Sequence, residues 1–397
     1  MPQIFLFLLS ILFSTSIHAQ LITINGTVID KESGEPLPYA HIIIKGKSIG
    51  TLSQVNGTFS FHFRSSGRDT LEISYIGYRT SQSLVQDLNT SVPLQFELSP
   101  QTIQLRAVTI RESSIKAADV IAQAIAQLTA NYASNPHLLQ GFFRDWKMVD
   151  FNSSQKDQSL LVEAAVNIHV KYTKKRLGND VYLKALRRNE LPERGWNYFN
   201  SLQDLLNRNY VTNPASADFY DLEAVLKFPN SYSFRFNNDL SDERYLCVEA
   251  VSRDGKMMYT LFLDERSYSI VRIDLKNTSV FERGDWNILK VDNTYRYREL
   301  NGKWYLSYCR RNWRIENVQR VTNTLNRTEE YYIELLVNDI QPEPGKLQLD
   351  SLGTRMINNR PLEFQTTTND SSFWDTYNVI ENDSLMAKVN AFIRIER

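Results

Sequence analysis

Asn56-Gly57-Thr58-Phe59-Ser60-Phe61-His62-Phe63 is the stretch on which the fold of the first hundred residues turns. Three phenylalanines fall on alternate positions, so one face of an extended chain is apolar and the other polar. Asn56-Gly57 ahead of them predicts a hairpin turn, because both central positions of the tightest turns need positive φ. Outward from this stretch the pattern repeats. Ile22–Ile29, Ala40–Lys45, Leu71–Tyr75 and Leu94–Leu98 are strand-like, and Lys31-Glu32-Ser33-Gly34-Glu35-Pro36 turns the chain between the first two. Seven of the 15 glycines lie within residues 21–100, and no helical period interrupts the strands. A small β-sandwich is expected. His41 and His62 are expected to point outward from it.

Beyond residue 100 the character changes. Residues 101–114 form a connector in which Leu105, Val108 and Ile110 suggest an edge strand, and Ser113 or Ser114 is placed to cap a helix. Ala117–Tyr132 carries Val120, Ile121, Ala124, Ile125 and Leu128 at helical spacing. From Gly141 onward the strands are long. Leu160–Tyr172, Val181–Leu186, Tyr232–Phe236, Tyr245–Val251, Met257–Leu263, Ser269–Leu275, Leu289–Leu300, Trp304–Ile315 and Tyr331–Ile340 follow, with helices at Asn197–Asn207 and Asp218–Leu226. Arg253-Asp254-Gly255 and Asn301-Gly302 predict hairpins. From Pro342 the chain reads as irregular, with Phe373-Trp374 and a short helix at Asp383–Phe392 docking it back. The expected fold is mainly β. A seven-stranded sandwich (21–100) and a linker (101–114) precede a larger α+β domain (115–340). That domain has an extended, curved antiparallel sheet and two or three helices. A docked tail (341–397) ends the chain.

Lys+Arg and Asp+Glu both number 45 among 397 residues, so the formal net charge is zero. No surplus of positive charge exists to drive binding to a phosphate backbone, and a nucleic-acid partner is not expected. Residues 4–13, Ile-Phe-Leu-Phe-Leu-Leu-Ser-Ile-Leu-Phe, are followed by small residues ending at Ala19. This is the layout of a secretory signal over residues 1–20, although Met1-Pro2-Gln3 brings no Lys or Arg. The apolar run is short for a membrane span, and no later stretch reaches that length. Cys247 and Cys309 remain after cleavage. Export permits a disulfide, but both sit within strands, where buried free thiols are common, and free thiols are the favoured reading.

The residues also carry a resemblance. Gly26-Thr27-Val28-Ile29-Asp30, Gly34-Glu35-Pro36-Leu37-Pro38-Tyr39-Ala40, Ile49-Gly50-Thr51, Asn56-Gly57-Thr58-Phe59 and Ile73-Ser74-Tyr75-Ile76-Gly77-Tyr78 resemble, in order and spacing, the carboxypeptidase-regulatory-like domain. The family usually has an Asp ahead of its Asn/Asp-Gly pair, where this chain has Ser53-Gln54-Val55. The resemblance implies a transthyretin-like sandwich that is not itself catalytic, at the amino end of an exported Bacteroidota-type protein. Asn131-Tyr132, Pro136, Gly141-Phe142-Phe143-Arg144-Asp145 and Phe373-Trp374-Asp375-Thr376-Tyr377-Asn378-Val379-Ile380 resemble a class in which that sandwich precedes a large β domain. No chemistry comes with this second resemblance. The hairpins around Lys256–Arg272 and Gly302–Arg311 are similar in pattern to the half-barrel sheets of lipoprotein-carrier proteins.

A search for chemistry finds little. His41, His62, His137 and His169 make no metal-type pair, so a zinc carboxypeptidase site is not supported. Gly46-Lys47-Ser48-Ile49-Gly50 matches the nucleophile elbow, but a hairpin is expected after it where the elbow needs a helix. No phosphate loop or dinucleotide fingerprint occurs. Asp242-Glu243, Asp264-Glu265 and Glu329-Glu330 are expected at the surface. So are the basic clusters Lys174-Lys175-Arg176, Arg187-Arg188 and Arg310-Arg311. Arg144-Asp145-Trp146 suggests an ion pair beside an aromatic ring. Trp196, Trp286, Trp304 and Trp313 are candidate sugar platforms, with core packing the commoner role.

No catalytic, cofactor or metal residue is therefore assigned, and no ligand-binding residue is singled out. The expected function is a non-enzymatic envelope protein, located in the periplasm or at the periplasmic face of the outer membrane. The sandwich would serve as an interaction or spacer module. The larger sheet would bind an apolar or extended ligand, or a protein, lipid or glycan component of the envelope. The alternative is an envelope hydrolase, which a pocket of converging Ser or carboxylate groups with shifted pKa values would favour. A fragment of a TonB-dependent receptor is set aside, because roughly 280 residues after the linker are too few for a barrel of about 22 strands.

Overall fold

The structure, a computed structural model, describes residues 20–65, 67–101, 115–152, 157–173, 176–189, 201–207, 224–322, 324–342, 345, 349–357, 360–367, 371–382, 385–387 and 389. The predicted edge strand at Leu105–Ile110, the caps Ser113 and Ser114, Trp196 and the first part of both predicted later helices lie outside them.

The first seven strands are β1 (Gln20–Asp30), β2 (His41–Ile44), β3 (Gly50–Leu52), β4 (Thr58–Ser65), β5 (Thr70–Ser74), β6 (Ser81–Leu84) and β7 (Leu94–Leu98). They form a three-stranded sheet ordered β4-β1-β7 and a four-stranded sheet ordered β3-β2-β5-β6. Alternation decides their facing. Phe59, Phe61 and Phe63 of β4 are buried, and they meet Ile24 and Val28, Ile42 and Ile44, Leu71 and Ile73 in one core. The expected sandwich is present.

Asn56-Gly57 does not close the hairpin that the dipeptide predicts. Only Gly57 has positive φ, at 77°, while Asn56 does not. The Gly57 N–H instead returns to the Gln54 carbonyl at 3.0 Å, and Asn56 Oδ1 accepts from the Thr58 N–H at 3.1 Å. The resulting turn carries the chain from β3 to β4, which belong to different sheets. At Asn301-Gly302 the prediction holds: both residues have positive φ, 54° and 75°, and Leu300 pairs with Lys303.

Twelve strands make the large third sheet. They are β8 (His137–Phe151), β9 (Gln158–Thr173), β10 (Arg176–Arg188), β11 (Tyr232–Phe236), β12 (Tyr245–Ser252), β13 (Met257–Asp264), β14 (Ile270–Asn277), β15 (Phe281–Arg283), β16 (Trp286–Leu300), β17 (Lys303–Gln319), β18 (Thr324–Gln341) and β19 (Thr354–Arg355). Their order is β11-β12-β13-β14-β16-β17-β18-β8-β9-β10-β19, with β15 beside β16, and every pairing is antiparallel. The chain thus makes one meander, crosses to the far edge, and meanders back until β18 lies against β8. β17 and β18 run for 17 and 18 residues. At ~3.3 Å per residue that is roughly 55–60 Å, far longer than an ordinary strand. Register shifts near Arg296, Asn317 and Val337 bend these strands and increase their twist.

Both faces of this sheet are covered. On one face lie α1 (Ala117–Ala126), α2 (Leu128–Asn131), α3 (Ser201–Asn207) and α4 (Ala224–Lys227). Val120, Ile121, Ala124, Leu202, Leu205, Leu206, Val225 and Leu226 pack there against Val248, Leu261, Ile273, Leu335 and their neighbours. The predicted helix 117–132 breaks at Gln127. Its backbone N–H is shared between the carbonyls of Gln123 and Ala124 at 3.0 and 3.2 Å. The tighter turn delivers Tyr132 to the sheet, where its hydroxyl donates to the Ile270 carbonyl at 2.6 Å. The cap is Lys116, whose backbone N–H donates to Asp119 Oδ2 at 3.0 Å. On the other face, Phe142, Tyr308 and Leu336 meet Leu52 and Tyr39 of the sandwich and Trp374, Tyr377, Val379 and Ile380 of the C-terminal segment.

Candidate functional site

The C-terminal side of the sandwich and one end of the large sheet enclose a cleft of about 610 Å³. From the sandwich come His41 and Ile43 of β2, Lys47 in the turn after it, Glu72 and Ser74 of β5, and the segment Tyr75–Thr80. From the sheet come Asp242, Arg244 and Tyr245 at the start of β12, Arg272 on β14, and Arg296–Asn301 at the end of β16, with Trp304 across the hairpin. Six cationic side chains line it, Lys47, Arg79, Arg244, Arg272, Arg296 and Arg298, against three acidic ones, Glu72, Asp242 and Glu299. The chain as a whole is neutral, so this imbalance is local.

Strand parity builds the cationic floor. Arg296 and Arg298 are two residues apart on β16 and share a face. Arg272 on β14 is the direct cross-strand partner of Arg296. Like charges directly opposite are unfavourable, so something must offset them. Part of the answer is Asp274, whose carboxylate lies 2.7 Å from Arg272 Nε. Arg298 donates to the Ser48 carbonyl at 2.5 Å, and Arg296 donates to the Tyr39 carbonyl. Burial holds Arg296 down to about 10, and the neighbouring Arg272 charge adds to this. Arg298 is held down to about 10 by burial, with Asp339 working the other way. His41 is pushed down to about 3, first by burial and then by Arg296, Arg298 and Arg272. It is a neutral imidazole at any ordinary pH.

His41 does point outward from the sandwich, as expected, but the large sheet covers it. His62 is half-buried by other means, with Nδ1 2.8 Å from Thr23 Oγ1 and its backbone bonded to Asn378 of the C-terminal segment. The key to the contact is Tyr39, from the Pro36–Ala40 motif. It adopts φ +62°, and its ring lies under the guanidinium groups of Arg296 and Arg310 at 5.4 and 5.5 Å. Arg310 also donates to the Tyr39 hydroxyl at 3.1 Å.

Several charges expected at the surface are buried in pairs. Glu329 accepts from Arg327 at 2.6 Å and lies 3.3 Å from Lys147. Arg311 reaches Asp204 at 3.2 Å and Tyr295 at 2.8 Å, while Arg310 on the opposite face reaches Asp292 at 2.9 Å. Arg187 and Arg188 are exposed, as expected, although Arg187 also meets the buried Glu163 at 2.6 Å and stacks on Trp374 at 4.4 Å. Arg311 and Glu329 are buried because their stretches of the long strands are covered on both faces, so neither parity reaches solvent there. The ion pair foreseen at Arg144-Asp145-Trp146 is a larger network. Arg144 binds Glu163 at 2.7 Å and Glu334 at 3.1 Å, beside Phe142. Trp146 Nε1 donates to Ser159 at 3.0 Å.

A second polar cluster lies beneath α3. Asp145 accepts from Ser201, and burial raises its pKa to about 6 against the opposing effects of Ser201 and Lys147. Glu363 is raised to about 7 by burial and by the Asp145 charge. Ser201 and Glu363 are only 1% and 4% exposed. Ser48 of the elbow-like match bonds Asp339, and the chain after it enters β3 rather than a helix. Trp304 lines the cleft, while Trp313 is tied to Asn293 at 2.7 Å and Trp286 lies under Arg327 at 5.6 Å. Cys247 and Cys309 are buried and form no disulfide. Among the described residues no group of His, Cys, Asp or Glu is arranged to hold a metal, and no helix is long and apolar enough to cross a membrane.

Sequence reasoning missed the cleft because its two walls are far apart in the chain. The one local sign was Tyr295-Arg296-Tyr297-Arg298, which places two arginines on one strand face.

Comparison with known proteins agrees on the first unit. Residues 24–110 match the family model of the CarboxypepD_reg-like domain. The chain is similar to TonB-dependent receptor P3 of Formosa agariphila, with 30% identity over 132 residues. That match covers 33% of this chain and 13% of the receptor. Among solved structures, one of lipovitellin, described for its lipid–protein interactions, aligns at TM-score 0.26 and 8% identity, covering 57% of this chain and 27% of that one. A DUF1329 family protein from Desulfovibrio piger aligns at TM-score 0.19 and 10% identity, covering 59% and 97%. Similarities this weak carry no argument about fold or ligand.

Proposed function

We propose that the chain is an exported, non-enzymatic envelope protein. In this reading the sandwich and the large sheet hold an extended polar ligand, or another envelope component, in the cleft between them. The observation that carries this is the cleft itself, lined from both units and large enough for a small organic ligand. The helix-covered face of the sheet supports the polar form of the reading over the apolar one, because α1, α3 and α4 already occupy that face. Export rests on the apolar run at residues 4–13. An envelope location, in the periplasm or at the periplasmic face of the outer membrane, is supported by the matched domain and by the similarity to a TonB-dependent receptor.

The test is native mass spectrometry of the protein purified gently from its own envelope. A discrete adduct that is lost on denaturation, and lost with Trp304→Ala or Tyr245→Ala, is the expected result. A bare mass throughout overturns the reading.

A hydrolase is the competing function, and one observation favours it. Asp145, Glu363 and Ser201 converge, and both carboxylates have raised pKa values. Against it stands the burial of Ser201 and Glu363. Turnover of an ester or glycoside panel that disappears in Asp145→Asn would establish it.

A further inference from the structure

We infer that the floor of the cleft is an oxyanion site, in which Arg272, Arg296 and Arg298 hold a carboxylate or phosphoryl group of the ligand. The inference rests on the cleft being the binding site, and goes beyond it by naming the chemistry recognised.

Three observations converge on this. The first is register. Arg272 and Arg296 stand directly opposite one another on β14 and β16, and Arg298 follows on the same face. A sheet gains nothing by setting like charges face to face unless a counter-charge sits between or above them. The second is an incomplete balance of partners. Asp274 is committed to Arg272 and also accepts from Thr294 at 2.7 Å. Among the described residues the other two arginines hydrogen-bond to neutral carbonyls, those of Tyr39 and Ser48, with the Tyr39 ring against Arg296 and Asp339 acting on Arg298 only at a distance. Arg296 is 5% exposed, and its Nε has no hydrogen-bond partner among the described residues. A buried guanidinium N–H left unmade is costly, and a bound anion would satisfy it. The third is the cavity. All three side chains line the same cleft, with neutral His41 beside them and able to donate one N–H. Planar guanidinium forks match the geometry of carboxylate and phosphate oxygens.

Three acids line the same cleft: Glu299 is exposed, and Asp242 and Glu72 have partners outside the floor. Asp242 is engaged by backbone N–H groups of Gly77, Arg244 and Tyr245 at 3.2, 2.7 and 2.7 Å. Glu72 accepts from Gln82 at 2.8 Å.

The experiment is calorimetric titration of the full exported chain with inorganic phosphate, sulfate and succinate at fixed ionic strength. Saturable binding of phosphate or of succinate with one-to-one stoichiometry is expected, and which of the two binds tells a phosphoryl from a carboxylate ligand. Loss of the Arg296 or Arg298 fork should weaken it about tenfold or more. Arg298→Met and Arg296→Met test this, with Arg253→Met in the β12–β13 hairpin as the charge-matched control. Should the methionine variants unfold, Arg298→Lys keeps the charge and removes the fork, and must still weaken binding. No saturable heat with any of the three anions overturns the inference. So does equal weakening by Arg253→Met, or full affinity in Arg298→Met. Sulfate binding as strong as the other two identifies an adventitious ion only, and also overturns it. A native adduct that survives Arg296→Met and Arg298→Met leaves the cleft as a binding site while removing the oxyanion.

Discussion

Asn378 pairs with the backbone of His62 as if it were one more strand residue. Its side-chain Oδ1 accepts from the His62 N–H at 2.7 Å, and its Nδ2 donates to the His62 carbonyl at 2.9 Å. β4 is an edge strand of the sandwich, and an unpaired edge is an invitation to foreign strands. The amide blunts that edge and joins it to the rest of the molecule, because the Asn378 carbonyl accepts from Asn338 on β18 at 2.8 Å. One residue of the C-terminal segment thus ties the sandwich to the sheet.

Replacing Asn378 with Ala should leave two backbone groups of β4 without their partner. A cost of about 2 kcal/mol is expected for two such bonds at a part-buried site. Hydrogen exchange at the His62 amide gives the direct reading, and it should speed up while the amides of β1 stay protected. An unchanged rate at His62 would show that the pairing adds nothing.

Arg144 stands between Glu163 and Glu334, and Glu334 is fully buried. Burial opposes the Arg144 charge, but Glu334 and Glu163 more than offset it and hold the guanidinium charged. Tyr308 and Tyr332 also donate to Glu334, at 2.7 and 3.1 Å. Removing the arginine alone leaves buried Glu334 without a cation and Glu163 with only the half-exposed Arg187, at a cost of about 3–5 kcal/mol. Arg144→Met should therefore be severe, and Arg144→Met with Glu163→Gln and Glu334→Gln much milder. Urea midpoints of the two variants decide it; equal midpoints would sink the argument.

Burial and the Asp145 charge raise the Glu363 carboxyl to about 7 against an ordinary value near 4.5. A raised carboxyl pKa stabilises the fold where the group is protonated. The contribution is whole below about 4.5 and is lost as pH rises through about 7, a change of roughly 3 kcal/mol at most. Asp145, raised to about 6, acts in the same direction, while Lys147 works against both and Arg188 against Glu363. Stability should fall between pH 5 and pH 8, on the order of that figure, and Glu363→Gln should flatten the fall. The same slope in wild type and variant would contradict this.

Cys247 and Cys309 are buried thiols that form no disulfide, and burial pushes the Cys247 thiol up to about 12. Neither should react with a thiol reagent in the folded protein, since the thiolate is the nucleophile. Both should react after denaturation without reductant. A single or absent label on the unfolded chain would reveal a bond between them.

Within the sandwich, local patterning sufficed for most elements. Phe59, Phe61 and Phe63 fixed a strand and its facing, and the glycines marked the turns. Asn56-Gly57 misled because a dipeptide states which turn it tolerates, not which sheet receives the next strand. Asn301-Gly302 was read correctly because its two strands also pair with each other. The long strands were legible as apolar alternation, though their ends were drawn short at polar residues. Arg311 and Glu329 looked solvent-facing for one reason: a sequence cannot show that helices lie over one face of a sheet and a tail over the other.

The sequence by itself determined that the chain is mainly β, that its first unit is a sandwich, and that zinc and nucleotide motifs are missing. Those conclusions rest on neighbours in the chain, where periodicity and turn residues act over a few positions. Only the tertiary structure decided that Tyr39 and Asn378 lock the sandwich to the sheet, and that Arg272, Arg296 and Arg298 face His41 across a cleft. Those residues come from segments separated by up to several hundred positions. Their charges matter only once burial removes the water that would otherwise screen them.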